Sequence, residues 1–165
     1  KPILTEHYQV SEENLRPAAT ILGYTLSDYI FMKETEKDEM ATLLFDASAM
    51  SLLGEASSSD DRLKEVSPAL LVTEKTPPMF LWATASDALV PVGHTLRMGM
   101  ALSEHKIPFE MHVFEQGQHG LSLATQATAN AKSLVDQNAA KWIDLADAWL
   151  LKSFSFELQD ETRWG

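Results

Sequence analysis

Three short apolar runs recur along the chain, and segments of helical character separate them. The runs are residues 16–24, 79–83 and 109–114, and proline or glycine borders each of them. Runs of this length and punctuation are typical of buried strands. Because strand and helix signals alternate, the order predicts the α/β class, with parallel strands flanked by helices.

The longest interval between the runs is predicted to be a helical insertion over residues 28–70. It contains one predicted helix over 39–53 and a second that starts in the polar run 57–61 and stops at Ser67-Pro68. A brief extended piece is predicted at 70–72.

Two later helices are predicted from apolar spacing. One starts after Pro91 and ends near His105, and the other spans residues 137–151. The stripe predicted for the first comprises Val92, Leu96, Gly99 and Ser103. The stripe predicted for the second comprises Ala139, Trp142, Ile143, Ala146, Trp149 and Leu150. Residues 152–165 then form a predicted tail, and residues 1–165 together are long enough for one domain.

Composition excludes several classes of partner. Acidic side chains outnumber basic ones by 24 to 13, so the net charge of -11 would repel nucleic acid and anionic membranes. No window approaches the ~20 apolar residues that span a bilayer, and the first residues have no signal-peptide core. We therefore expect no nucleic acid or membrane partner and a cytoplasmic location.

Metal and redox chemistry find little support in the sequence. The chain has no cysteine, which excludes a disulfide, a thiolate nucleophile or a cysteine metal site within it. His94 and His105 share a predicted helix but lie too far apart for one metal site, and His7 and His112 lack companions. We expect no metal and no cofactor.

Asp87 and His119 are the candidate catalytic residues. Asp87 follows the second predicted strand and His119 the third, and adjacent parallel strands end at the same edge of a sheet. A carboxylate that holds one imidazole nitrogen leaves the other free to take a proton from a hydroxyl nucleophile. Gly117 and Gly120 suit a tight turn around His119. The alternatives are an Asp that only caps the next helix and a His that is merely exposed.

Three segments resemble a known family. Residues 61–92 resemble the catalytic-acid segment of α/β-hydrolase esterases related to acetyl-xylan esterase and of prolyl-oligopeptidase-like hydrolases. Residues 109–123 resemble that family's last strand and catalytic-histidine loop, and residues 16–24 its strand after the nucleophile helix. The resemblance implies the C-terminal half of an α/β-hydrolase fold, with Asp87 as triad acid and His119 as triad base.

The nucleophile of that family has no counterpart here. Its serine lies in a Gly-x-Ser-x-Gly elbow ahead of the first strand of this chain, and no segment of the chain has that pattern. Ser86 and Ser122 lack an elbow and are predicted to be ordinary loop residues. The oxyanion-hole donors are likewise expected from outside the chain.

The resemblance implies a serine carboxylesterase for short-chain esters, with acetylated carbohydrates among its substrates and with residues 28–70 near the substrate pocket. This chain alone is expected to be inactive. Two alternatives stay open: a non-catalytic remnant or binding module with a hydrolase half-fold, and part of a prolyl-oligopeptidase-type peptidase.

The first predicted strand would leave an open apolar edge without upstream strands. We therefore expect that edge to pair with the N-terminal half of the same protein or to cause self-association.

Overall fold

The computed structural model describes residues 2–35, 38–55 and 59–155. Its strands are β1 (Thr20–Gly23), β2 (Met79–Thr84) and β3 (Phe109–Phe114). Its α-helices are α1 (Pro2–Tyr8), α2 (Tyr29–Glu34), α3 (Glu39–Leu53), α4 (Asp60–Glu65), α5 (Gly93–Glu104) and α6 (Trp142–Phe154). Short 3₁₀ turns lie at Glu13–Leu15, Pro68–Leu70, Lys132–Leu134 and Ala139–Lys141.

The strands form a parallel sheet in the order β1-β2-β3, which confirms the predicted fold class. Thr20 is level with Met79, and Met79 is level with Phe109. Because the three strands start at one level and run in one direction, the loops that follow them leave the sheet at the same edge. The turns after β2 and β3 are therefore neighbours.

Helices cover both faces of the sheet, and β2 is buried on each. Phe80 and Trp82 contribute to the core against α6, whereas Leu81 contributes to the core against α5. Burial of this kind explains why β2 is a continuous apolar run instead of an alternating one. None of the helices in the described ranges is long and apolar enough to cross a membrane.

The predicted stripe of α5 is wrong at Leu96 and Ser103, although Gly99 is buried as predicted and the helix itself lies where it was predicted. The buried side of α5 comprises His94, Thr95, Met98, Gly99 and Leu102. Leu96 and Ser103, both assigned to the stripe, are exposed. Apolar spacing misses this orientation because polar His94 and Thr95 are buried against a segment from another part of the chain.

The insertion has a small core of its own. Helices α2, α3 and α4 lie within residues 28–70, and side chains from all three form one cluster. Leu89, which comes from the turn after β2, packs against this cluster. The buried members are Tyr29, Met32, Ala41, Phe45 and Leu63. The extended piece predicted at 70–72 is wrong, because Pro68 at the first helical position starts a 3₁₀ turn there.

Polar side chains begin each helix of the insertion. Asp28 accepts a hydrogen bond from the Phe31 N–H at the start of α2, and Asp38 does the same for Ala41 at the start of α3. Ser59 caps α4, whereas residues 57–58 of the same polar run lie outside the described residues.

The final helix starts later and ends later than the sequence predicted. A 3₁₀ turn at Ala139–Lys141 precedes α6, which then continues to Phe154, into the predicted tail. Of its predicted stripe, Ile143 is exposed, whereas Ala146 and Trp149 are buried. Residues 156–165 of the predicted tail lie outside the described residues.

Candidate active site

Asp87 lies in the turn that follows β2, with its side chain fully buried. One carboxylate oxygen, Oδ1, accepts hydrogen bonds from the backbone N–H groups of Leu89 and Val90, each at 3.0 Å. The other oxygen, Oδ2, lies 2.8 Å from Nδ1 of His119. Both oxygens are therefore used, and the carboxylate has one orientation.

His119 lies in the loop that follows β3, and 30% of its side chain is exposed. An ionised Asp87 can only accept a hydrogen bond, so the neutral imidazole carries its proton on Nδ1 and a lone pair on Nε2. The ring of Tyr24, the residue after β1, meets the His119 ring edge to face with centroids 4.9 Å apart. One side of the imidazole is thus fixed, and Nε2 is available as a base.

The turn that leads to His119 requires glycine at position 117. Gly117 has φ +140°, and a Cβ there would lie 2.6 Å from the Leu121 side chain and 2.8 Å from that of Thr84. Thr84 donates its hydroxyl hydrogen bond to the Gly117 carbonyl at 2.6 Å. Ser86 accepts the Gly117 N–H at 2.9 Å, so the end of β2 holds the histidine loop directly.

Two aromatic side chains hold the far end of the same loop. The backbone N–H of Ser122 donates to the Tyr24 hydroxyl at 3.3 Å, and Trp142 Nε1–H donates to the Ser122 carbonyl at 2.9 Å. Trp142 also stacks on Trp82 with centroids 5.0 Å apart. The loop is therefore supported by residues that follow β1 and begin α6.

A cavity of about 260 Å³ adjoins His119, and we call it the His119 cavity. Its walls are Leu26, Met32, Ala41, Leu44, Phe45, Ser48, Leu89, Val90 and His119. Besides His119, the polar side chain in this wall is Ser48, whose hydroxyl donates to the Phe45 carbonyl at 2.8 Å. The wall beside the imidazole is therefore apolar, and α3 supplies much of it.

The structure brings the two predicted site residues into contact, whereas the other histidines lie elsewhere. His105 is near the end of α5, with Nδ1 beside the Ala101 carbonyl, and His112 pairs with Glu110. Among the described residues, no group of three or more His, Cys, Asp or Glu side chains is placed to hold a metal ion. Ser86 and Ser122 both hold the histidine loop in place: Ser86 accepts a hydrogen bond from the Gly117 N–H, and the Ser122 carbonyl accepts one from Trp142.

His94 is buried near the site, and the sequence did not suggest a role for it there. Its Nδ1 accepts the Asp28 N–H at 3.3 Å, and burial lowers the pKa of His94 to about 4. Tyr24 and Trp142 were also missed as supports of the histidine loop. Position offered a signal for Tyr24 alone, because it follows β1 at the edge where Asp87 and His119 were expected.

Comparison with known proteins identifies similar chains. The family model described as the prolyl oligopeptidase family matches residues 20–154. Over 77 residues, which are 47% of this chain and 12% of the other, the sequence is 43% identical to endo-1,4-beta-xylanase B of Butyrivibrio fibrisolvens.

Two solved structures share the fold. A sugar hydrolase from Lactococcus lactis is 31% identical with a TM-score of 0.68, and the match covers 90% of this chain and 53% of that one. An acetyl ester-xyloside bifunctional hydrolase from Caldicellulosiruptor lactoaceticus is 32% identical with a TM-score of 0.60, and the match covers 83% and 43%. The chain therefore spans about half the length of these solved relatives.

Proposed function

The chain belongs to the prolyl oligopeptidase family of hydrolases, and on that basis we propose that it supplies the acid and the base of a serine ester hydrolase. The observation that carries the proposal is the 2.8 Å contact between Asp87 Oδ2 and His119 Nδ1, with Oδ1 held by two backbone N–H groups. This is the arrangement that orients an imidazole toward a hydroxyl nucleophile. The serine itself would come from a part of the protein outside this chain.

In the proposed reaction, His119 Nε2 takes the proton of the serine hydroxyl as the oxygen attacks the ester carbonyl. The imidazolium then gives this proton to the departing alcohol, which leaves an acyl-enzyme. Water then attacks the acyl-enzyme as His119 Nε2 takes its proton, and the imidazolium returns this proton to the serine oxygen as the carboxylic acid leaves. Asp87 remains ionised throughout, and its charge stabilises the imidazolium.

The proposed substrates are short-chain esters, including acetylated carbohydrates. The small apolar His119 cavity suits an acyl group better than a sugar, whose hydroxyl groups would find few partners there. We place the acyl chain in this cavity and the alcohol outside it. The similarity to an acetyl ester-xyloside bifunctional hydrolase and to a xylanase supports carbohydrate as the alcohol.

A peptidase is the second candidate, because the matching family model is described as prolyl oligopeptidase. The same acid and base would serve amide hydrolysis, since both reactions are acyl transfers. Matched 4-nitrophenyl esters and 4-nitroanilides separate the two: hydrolysis of the esters with no turnover of the anilides supports the esterase, and turnover of the anilides as well favours the peptidase.

The deciding experiment treats the product of the full reading frame with a fluorophosphonate probe and maps the adduct by mass spectrometry. We expect the adduct on a serine outside this chain, and we expect His119→Ala to abolish it. His105→Ala is the matched control and should label like the wild type, because His105 is exposed near the end of α5. No adduct in the wild type contradicts the proposal and favours a non-catalytic hydrolase-like module.

We also propose that the open side of β1 pairs with a strand from the N-terminal half of the same protein. β1 is the edge of the described sheet, and 41% of Ile21 is exposed on it. The chain alone should then self-associate, and adding the N-terminal half should convert it to a defined complex in analytical ultracentrifugation. A stable monomer would count against this partner.

A further inference from the structure

His94 joins two segments that are distant in sequence. Ser27 donates its hydroxyl hydrogen bond to the His94 carbonyl at 2.7 Å, and the Asp28 backbone N–H donates to His94 Nδ1 at 3.3 Å. All three residues are buried. These two hydrogen bonds, which we call the His94 clasp, tie the start of α2 to the first turn of α5.

Close packing surrounds the clasp. A Cβ on Gly93 would lie 2.5 Å from the Phe31 ring, so the start of α5 is pressed against α2. The Phe31 ring also meets His94 edge to face at 4.9 Å and carries the Arg97 guanidinium 4.4 Å above it. This packing leaves little room for the start of α2 and the first turn of α5 to move relative to each other.

The clasp connects two walls of the His119 cavity. Leu26 and Met32 lie on either side of the clasped Ser27-Asp28 pair, and both line the cavity. Leu89 and Val90, which line it as well, precede the clasped turn of α5. The distance between these two walls therefore depends on how Ser27-Asp28 is held against His94.

The imidazole contributes an acceptor at this position. Because Nδ1 accepts a hydrogen bond, the proton of the neutral ring lies on Nε2, and Nε2 has no hydrogen-bond partner among the described atoms. Burial, helped by the positive charge of Arg97, keeps the ring neutral although the carboxylates of Asp28 and Asp87 favour its protonation. An apolar side chain would fill the space without an unpaired N–H, so what histidine adds is the Nδ1 acceptor for Asp28.

We propose that His94 is a positioning residue that sets the width of the His119 cavity and thereby the length of acyl chain that the site accepts. The proposal rests on the proposed function, since it takes this cavity as the acyl site. His94 acts through Leu26 and Met32 on one wall and through Leu89 and Val90 on the other, and it does not touch the reacting atoms.

The test compares hydrolysis of 4-nitrophenyl acetate and 4-nitrophenyl hexanoate by the full-length protein. In His94→Leu, which removes the acceptor, we expect the ratio of the two kcat/KM values to change by about fivefold or more, since pocket fit of a few methylenes is worth that much. His94→Asn keeps an acceptor near the Nδ1 position and should stay close to the wild-type ratio. His105→Asn, at the residue that follows α5, is the matched control.

The ratio of the two kcat/KM values distinguishes a role of His94 in positioning the cavity walls from a role in folding alone. A role in folding alone lowers the active fraction and reduces both kcat/KM values equally, so an unchanged ratio in His94→Leu overturns the proposal. If His94→Leu does not fold, Ser27→Ala removes the other half of the clasp and decides instead: a shifted ratio supports the proposal, and an unchanged one overturns it. If the wild type reacts with neither ester and not with the fluorophosphonate probe, the proposed function itself is contradicted.

Discussion

The acid loop, residues 85–92, and the histidine loop, residues 115–124, meet at the site but are held in different ways. In the acid loop, Asp87 is oriented by the N–H groups of Leu89 and Val90, its neighbours in sequence. In the histidine loop, the supports come from distant side chains. The acid is thus positioned by local structure, and the base depends on the assembled fold.

Backbone conformation shows the same contrast. The histidine loop contains four residues with positive φ, namely Gly117, Gly120, Ser122 and Ala124, whereas none of the acid loop residues has one. Positive φ is unfavourable for serine and alanine, so distant contacts must compensate for it. We expect the histidine loop to be the more sensitive of the two to substitutions elsewhere.

The largest expected effect comes from Asp87→Asn in the full-length protein. The asparagine oxygen can still accept the Leu89 and Val90 N–H groups, but its NH₂ group would face His119 Nδ1 and select the tautomer that cannot accept the serine proton. We expect kcat to fall on the order of 10⁴-fold while thermal unfolding changes little. Activity above a tenth of the wild type would show that Asp87 does not orient the base.

Acid should lower the free energy of unfolding through His94, which lies next to the acid loop. No comparable effect is expected from Tyr24, Ser86 and Trp142, which hold the histidine loop. The folded-state pKa of His94 is about 4, against 6.5 for an ordinary histidine. The unfolded state therefore takes up a proton as the pH falls below 6.5, and the folded state does so only near 4. This costs roughly 3 kcal/mol of folding stability by pH 4.

Urea unfolding of the full-length protein between pH 7 and pH 4 measures that loss. His94→Asn lacks the titrating ring, so its free energy of unfolding should fall less steeply across the window than that of the wild type. Parallel curves for the two proteins would contradict a buried, neutral His94. His105→Asn should follow the wild type.

Gly117→Ala tests the requirement of the histidine loop for positive φ. The new Cβ would clash with Leu121 and Thr84, and we expect a loss of about 2 kcal/mol in the free energy of unfolding. Gly120→Ala is the matched control, since its φ is +81° with no atom within 4 Å of the added Cβ. It should cost about 1 kcal/mol, and equal losses would show that the clash is relieved.

The smallest expected effect comes from Ser86→Ala, which removes one link between the two loops and leaves the Asp87–His119 contact in place. Ser86 is exposed, so loss of its hydrogen bonds to Gly117 should cost about 1 kcal/mol or less. Chemical denaturation measures this against Ser103→Ala, an exposed serine on α5. A larger loss would mean that the two loops depend on each other more than their hydrogen bonds indicate.

Much of the fold could be predicted because its signals are local. Proline and glycine mark the ends of the strands, and the polar run that includes Ser59 marks the start of α4. The short helix α2 was not predicted, although Asp28 caps it. The orientation of α5 was missed because apolar periodicity locates a helix but identifies its buried side only when that side is apolar. His94 and Thr95 break that condition.

The linear pattern alone specified a parallel α/β sheet and the edge at which Asp87 and His119 meet, because parallel strands bring their carboxyl ends together. Tertiary packing decided how His119 is held, where the His119 cavity lies and why His94 is buried. Each of these depends on side chains far apart in the chain, such as Ser27 with His94 and Trp142 with Ser122. No local preference encodes such pairs, so they emerge only when the helices pack on the sheet.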